Sequence, residues 1–174
     1  IFRMALAAKP RYLLPRQETA MIEVGQPAPD FTLPLSNGES ITLSSLRPRK
    51  VVVYFYPKAD TPGCTTEALD FSALLADFDA ADTTVIAISK DPVTAHEKFA
   101  RKHGLSVLLA SDAEGDTAER YGVWGEKKMY GRTFMGLTRA TFLIDSEGRI
   151  AMVWPKVKVA DHAAEVLKAA QELH

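Results

Sequence analysis

The residues with the clearest potential for chemistry lie around Cys64, the single cysteine among 174 residues. A free cysteine is most often a small buried hydrophobe. However, Thr61, Pro62 and Gly63 precede Cys64, and this order is typical of the start of a helix. The N–H groups and the dipole at such a start stabilise a thiolate, which is the nucleophilic form of cysteine.

The cysteine count also limits the chemistry. One cysteine excludes an intramolecular disulfide, a two-cysteine redox pair and a multi-cysteine zinc site. Cys64 is therefore an inert buried thiol, a site of intermolecular crosslinking or a lone nucleophile.

Three side chains near Cys64 each have a structural and a chemical interpretation. Thr61 is three residues before Cys64, the spacing at which an N-cap hydroxyl bonds the N3 amide, so it is a helix cap or a hydroxyl close to the sulfur. Pro57, with Pro62, stiffens a pocket wall or shapes a turn. Glu67 orients a cation or is an acid favoured by the first turn of the helix.

The elements that must position these residues follow from hydrophobic patterning. The run at 50–56 is typical of a strand buried on both faces, and a helix is predicted to begin at Pro62. Asp91 and Pro92 predict the start of the next helix. Further strands are predicted at 83–89, 106–111, 140–145 and 149–154. The apolar stripe of the first helix comprises Ala68, Phe71, Leu75 and Phe78, and that of the last helix comprises Val159, Ala163, Val166, Leu167 and Ala170.

Residues 122–136 are predicted to form a long connection, because glycines interrupt them repeatedly. Their large apolar side chains line a pocket or cover the core; these are Trp124, Met129, Tyr130, Phe134 and Met135.

Strands and helices alternate along the chain before a final hairpin and helix. The predicted fold class is therefore α/β, with a mixed central sheet and helices on both faces.

The composition restricts the class of protein. Hydrophobic residues make up 47% and charged residues 25%, which argues against disorder. The formal net charge of -1 argues against a nucleic-acid-binding protein. The apolar runs are far shorter than the roughly 20 residues that a transmembrane helix needs. We therefore expect no nucleic acid and no membrane among the partners.

The first 20 residues differ from the rest of the chain. They contain Arg3, Lys9, Arg11 and Arg16 against one acid, Glu18, a balance faintly similar to a transit peptide. We predict an N-terminal extension at 1–20 and one domain at 21–174. The expected location is the cytoplasm, with targeting to an organelle by the extension left open.

The histidines show no spacing typical of metal ligands, so no metal site is predicted. They are His96, His103, His162 and His174. His96 and His103 are interpreted as residues of a solvated helix surface.

The segment YFYPKADTPGCTTEA closely resembles the active-site motif of peroxiredoxins, in particular the peroxiredoxin Q or bacterioferritin comigratory protein branch. The resemblance extends over nearly all of residues 22–170, including GQPAPDFTLPLSNGESITLSSL and YGVWGEKKMYGRTFMGLTRATFLID. It implies a thioredoxin-like fold and a thiol peroxidase that acts on hydrogen peroxide or organic hydroperoxides without a metal or another cofactor. The thiolate would attack the terminal peroxide oxygen and become a sulfenic acid.

The resemblance also implies a role for individual residues. By position, Cys64 matches the peroxidatic cysteine, Thr61 the hydroxyl that contacts the peroxide, and Pro57 the proline that shields it. Arg139 matches the arginine of the family, and Glu67 matches an acid that helps to hold that arginine. Arginine is always charged and offers several donors to a developing negative charge.

One departure from the family pattern concerns the second cysteine. Many members of this branch have a resolving cysteine five residues after the first, where this chain has Leu69, and others resolve from a later helix. The resemblance therefore implies a one-cysteine mechanism in which an external thiol attacks oxidised Cys64. Thioredoxin, glutaredoxin, glutathione and Cys64 of a second subunit remain open, and we expect a monomer or weak homodimer. The alternative function is a thioredoxin-fold redox sensor or binding protein that forms a mixed disulfide with a partner.

Overall fold

A computed structural model of the chain describes residues 20–174. The predicted extension at 1–20 thus lies outside the described residues, apart from its last position. Among the described helices, none combines the length and the hydropathy that crossing a bilayer requires. The strands are β1 (Thr32–Pro34), β2 (Ser40–Thr42), β3 (Lys50–Phe55), β4 (Thr83–Ser89), β5 (Leu108–Ser111), β6 (Trp124–Met129), β7 (Arg132–Leu137), β8 (Ala140–Ile144) and β9 (Ile150–Trp154). The helices are α1 (Pro62–Ala73), α2 (Leu75–Ala80), α3 (Val93–His103), α4 (Thr117–Arg120) and α5 (His162–Glu172).

The central sheet is mixed, as predicted, and has the strand order β5-β4-β3-β8-β9. Strand β3 pairs parallel with β4 and antiparallel with β8, and it lies in the middle of the sheet. Its side chains alternate between two hydrophobic clusters, with Val51 and Val53 on one face and Val52 and Tyr54 on the other. This burial on both faces explains why β3 is a continuous apolar run.

Helices cover both faces of this sheet, although unequally. Side chains of α1, α2, α3 and α5 share one cluster with Tyr54, including Phe71, Phe78, Phe99 and Val166. The short α4 contributes Ala118 to the opposite cluster, which the β1–β2 hairpin also covers. The predicted α/β class with helices on both faces is confirmed.

Two predicted helices differ from the structure at their ends. The helix predicted to begin at Pro62 is divided into α1 and α2. Leu74, between them, leaves helical geometry (φ −104°, ψ 4°), and its N–H bonds to carbonyls of the preceding turn. The last helix begins at His162 rather than near Val159, because Asp161 adopts the left-handed conformation (φ 60°) just before it. Both differences are backbone turns that hydrophobic periodicity does not report.

The predicted connection at 122–136 is largely a β-hairpin, which the sequence analysis missed. Strands β6 and β7 pair only with each other within the described residues. Tyr130 and Gly131 form the turn with φ values of 52° and 75°, and such a turn suits the twist of a hairpin. The hairpin was missed because both of its faces are largely exposed, so it lacks an apolar/polar alternation.

Candidate active site

Strand register brings two distant segments together at one edge of the central sheet. Phe55 at the end of β3 pairs with Ala140 at the start of β8. Because these strands are antiparallel, the residues just after Phe55 and just before Ala140 meet at the same edge. The loop that leads to Cys64 and the side chain of Arg139 therefore lie next to each other.

Cys64 lies in the first turn of α1, where the sequence predicted a helix start. The helix begins at Pro62 with Thr61 as its N-cap, and Cys64 is only 2% exposed. Its Sγ accepts a hydrogen bond from Nη2 of Arg139 at 3.2 Å. The thiol thus faces both the N-terminal end of a helix and a permanent cation.

Arg139 also forms an ion pair with a buried carboxylate. Its Nη1 donates to Oε1 of Glu67 at 2.7 Å, and Glu67 is 1% exposed. Burial raises the pKa of Glu67 to about 7, with Arg139 acting in the opposite direction. The second carboxylate oxygen has no hydrogen-bond partner among the described residues. One guanidinium thus links Cys64 to Glu67, two residues one turn apart on α1.

The hydroxyl of Thr61 does not form the predicted bond to the helix amide. Thr61 is the N-cap, but its side chain makes no capping hydrogen bond, and Oγ1 instead donates to the carbonyl of Lys58 at 2.8 Å. That bond uses the only hydroxyl proton, and the oxygen keeps acceptor capacity. The prediction of a cap bond to the Cys64 amide was therefore wrong, whereas the N-cap position was correct.

Pro57 and Arg139 line one pocket, of about 490 Å³. Its complete lining is Pro57, Lys127, Thr138, Arg139, Pro155, Lys156 and Val157. Three of these residues are basic and none is acidic. Arg139 therefore both lines this pocket and donates to the sulfur of Cys64.

The loop between β3 and α1 is held by residues that the sequence analysis did not assign to the site. Asp91 was predicted to cap α3, but the N-cap is Pro92. The Asp91 carboxylate instead accepts from the N–H of Ala59 at 2.8 Å and from Oγ of Ser89 at 2.6 Å. A carboxylate after β4 thus anchors the loop that precedes Cys64.

His96 is fully buried, which corrects its interpretation as a solvated helix residue. Its Nδ1 bonds the hydroxyl of Tyr56 at 2.7 Å, and its Nε2 bonds Oγ of Ser89 at 3.2 Å. His162 is also buried and bonds Oγ1 of Thr141 at 2.8 Å. Across residues 20–174, no group of three or more His, Cys, Asp or Glu side chains is arranged to hold a metal ion.

Gly63 is a further residue of the site that the sequence analysis missed. A Cβ at this position would lie 3.2 Å from Nη2 of Arg139. Because Gly63 has no side chain, the guanidinium can approach the first turn of α1 closely. The only sequence signal was a glycine directly before the cysteine.

Comparisons with known proteins agree with this geometry. Residues 24–153 match the AhpC/TSA family. Peroxiredoxin Bcp of Bacillus subtilis is 47% identical over 152 residues, which is 87% of this chain and 97% of that protein. The chain belongs to the peroxiredoxins of the AhpC/TSA family. Its solved peroxiredoxin relatives include peroxiredoxin Q of Xanthomonas campestris, with a TM-score of 0.79 and 42% identity over 89% of this chain and 98% of that one.

A second solved peroxiredoxin is the PrxQ of Xylella fastidiosa, with a TM-score of 0.81 and 37% identity over 86% of this chain and 96% of that one. These likenesses confirm the thioredoxin-like fold. They also confirm that the protein is a thiol-dependent peroxidase, and the alternative of a redox sensor has no better support. Peroxiredoxins use peroxide substrates and thiol reductants such as thioredoxin. Leu69, at the position five residues after Cys64 where the resemblance would place a resolving cysteine, is 42% exposed on α1.

Proposed function

We propose that Cys64 is the peroxidatic nucleophile and that an external thiol completes the cycle. The observation that carries this proposal is the double contact of Arg139, with Nη2 at 3.2 Å from the sulfur and Nη1 at 2.7 Å from Glu67. A cation fixed in this way stabilises the thiolate and is already oriented when the reaction begins.

In the first step, the Cys64 thiolate attacks the terminal oxygen of a hydroperoxide. The sulfur–oxygen bond forms as the oxygen–oxygen bond breaks, so the sulfur is oxidised to a sulfenic acid and the peroxide is reduced to water or an alcohol. Negative charge moves from the sulfur to the leaving oxygen. Arg139 lies next to the sulfur and can stabilise both ends of this shift.

The other site residues assist this step. The Thr61 hydroxyl, whose oxygen retains acceptor capacity, accepts a hydrogen bond from the peroxide O–H and orients the substrate. Pro57 covers one side of the pocket with a rigid apolar ring and limits the entry of water. Glu67 is a positioning residue, because it contacts Arg139 and not the sulfur.

In the second step, an external thiol attacks the sulfenic acid, giving a mixed disulfide and water. A second thiol then releases reduced Cys64. No other cysteine is present in the sequence. Thioredoxin, glutaredoxin and glutathione are the candidate reductants, and Cys64 of a second copy of the chain is the remaining candidate.

Organic hydroperoxides are proposed as substrates together with hydrogen peroxide. One Xanthomonas campestris relative, 42% identical, has been described for its alkyl peroxide reduction activity. The apolar portion of the pocket, formed by Pro57, Pro155 and Val157, suits an alkyl group.

Peroxide consumption by the reduced protein and by Cys64→Ser tests the nucleophile. We expect the variant to lose activity, and equal rates would reject Cys64 as the nucleophile. Thr61→Val and Arg139→Leu are each expected to slow oxidation by about 10²-fold, the cost of losing one preorganised group. Thr61→Ser, which keeps the hydroxyl, is the control for the first variant.

Mass spectrometry after one equivalent of peroxide tests the resolution step. A sulfenic acid on a monomer supports an external reductant, and a disulfide-linked dimer assigns resolution to a second copy. Many turnovers with one of the three candidate reductants would identify the partner.

The domain boundary at 21, the cytoplasmic location and the monomer or weak homodimer stay predictions from the sequence.

A further inference from the structure

The β6–β7 hairpin directs one lysine into the pocket next to Arg139. Lys127 and Phe134 are cross-strand partners, so their side chains lie on the same face of the hairpin. A Cβ at Gly136 would lie 3.1 Å from Cδ of Lys127 and 3.3 Å from a ring carbon of Phe134. The lysine side chain therefore extends across the bare backbone of Gly136.

Lys127 differs from the other lysines of the hairpin and the pocket. It is half-buried and lines the pocket with Arg139 and Pro57, whereas Lys128 and Lys156 are exposed. No carboxylate of residues 20–174 forms a salt bridge with Lys127. Partial burial and the nearby Arg139 lower the pKa of Lys127, with the charge of Cys64 opposing them. A lowered pKa makes its ammonium a better proton donor.

The peroxidase reaction requires such a donor, because the leaving alkoxide or hydroxide is a strong base. Arg139 cannot give up a proton in a protein. The hydroxyl proton of Thr61 is already donated to the Lys58 carbonyl. The imidazole of His162 is bonded to Thr141, and burial, with Arg139 adding to it, lowers its pKa to about 4, so it is uncharged at neutral pH. Lys127 is the half-buried residue of the pocket lining whose charged group can release a proton, since the hydroxyl of Thr138 is not acidic.

We propose that Lys127 is the general acid that protonates the leaving oxygen when Cys64 attacks the peroxide. As the oxygen–oxygen bond breaks, the hydroxyl group stays on the sulfur, and the leaving oxygen takes a proton from Nζ of Lys127. Neutral Lys127 then recovers its proton from water. The proposal rests on the assignment of Cys64 as the nucleophile.

The dependence of the oxidation rate on the leaving group distinguishes proton donation by Lys127 from electrostatic stabilisation by its charge. An alkoxide leaving group needs a proton, whereas the acetate that leaves from peracetic acid does not. Single-turnover oxidation of the reduced full-length protein is measured with tert-butyl hydroperoxide and with peracetic acid. Lys127→Met is expected to slow the first reaction by about 10²-fold and to leave the second nearly unchanged. An equal loss with both oxidants, or no loss with either, would overturn the proposal.

Two further variants complete the experiment. Lys128→Met makes the same charge change one position along β6, on the opposite hairpin face, and is expected to react like the wild type with both oxidants. Gly136→Ala displaces Lys127 without removing it and should give a weaker loss confined to tert-butyl hydroperoxide. It also keeps the proposal testable if Lys127→Met fails to fold. Inactivity of the wild type would instead reject the proposed function, so the two failures are distinct.

Discussion

Gly63 leaves room for the guanidinium of Arg139 beside the first turn of α1, because a Cβ at residue 63 would lie 3.2 Å from Nη2 of the arginine. The same nitrogen donates to the sulfur of the following residue, Cys64. The position of the guanidinium thus depends on a missing side chain as well as on its two acceptors. This dependence allows a test in which the arginine itself is unchanged.

Gly63→Ala is expected to reduce the rate of Cys64 oxidation by about tenfold, because the methyl group displaces Arg139 by a few tenths of an ångström. The same substitution should stabilise the helix, because alanine is favoured over glycine in a helix by about 0.5–1 kcal/mol. Stopped-flow oxidation and chemical unfolding measure the two effects separately. Thr66→Ala, at an exposed site on the same helix, is the control. An unchanged rate in Gly63→Ala would show that the space left by Gly63 has no role in the reaction.

Glu67→Gln is expected to change the pH dependence of peroxide reduction. Because burial raises the pKa of Glu67 to about 7, the carboxyl is neutral below that pH and its ion pair with Arg139 is lost. The wild type and the variant should therefore react at similar rates in acid. Above about pH 7, the wild type should be faster by about tenfold, as its ionised carboxylate fixes the arginine. A rate ratio that stays constant with pH contradicts this assignment.

Asp91→Ala is expected to loosen the loop before Cys64. The change leaves the N–H of Ala59 and the hydroxyl of Ser89 without their shared acceptor, and bonds to a charged group are each worth about 1.5–3 kcal/mol. Urea unfolding should show a loss of about 3–6 kcal/mol, since two such bonds are removed, and peroxide reduction should slow by about tenfold. Lys102→Met removes an exposed ion pair to Asp60 in the same loop and should change neither measurement. A stability loss without a change in rate would limit Asp91 to a structural role.

Acid is expected to destabilise the fold through two buried histidines. Burial lowers the pKa values of His96 and His162 from 6.5 to about 4. Between these values the unfolded chain binds protons that the native protein excludes, so the free energy of unfolding falls as the pH falls. Glu67 opposes this trend, because its raised pKa makes the native protein bind the extra proton.

Unfolding measured across this pH range gives the sign of each contribution. His162→Gln should flatten the fall in the free energy of unfolding, and Glu67→Gln should steepen it. The glutamine at position 162 can still bond Thr141, which limits other losses. Parallel curves for the three proteins would contradict both pKa directions.

The elements near Cys64 were predictable because their signals are local. Strand β3 is one apolar run, and Thr61 and Pro62 mark the helix start within three residues of the cysteine. The hairpin was missed because both of its faces are largely exposed and because Tyr130 occupies the first turn position, where asparagine is usual before glycine. Propensity and periodicity carry no information about such a position.

The residues around the sulfur were predictable only in part. Arg139 came from the family resemblance, and its contact with Cys64 depends on the register of β3 with β8 across 75 residues. Asp91 followed by Pro92 has the pattern of a helix cap, but the Asp91 carboxylate instead accepts from the N–H of Ala59 in the loop. Lys127 had no signal, because its place in the pocket depends on a hairpin that was not foreseen.

Strand β7 ends at Leu137 and β8 begins at Ala140, so only Thr138 and Arg139 join the exposed hairpin to the central sheet. Tolerance to changes in chain length should therefore differ sharply along this segment. Residues added at the tip, where Tyr130 is 97% exposed, lengthen the hairpin without altering its base. A single residue inserted after Leu137 would shift the hairpin relative to Arg139, whose place is set by the register of β8 with β3, and is expected to move Lys127 out of the pocket. We therefore expect homologues with this reaction centre to vary in length at the tip of the hairpin and to keep the two-residue junction.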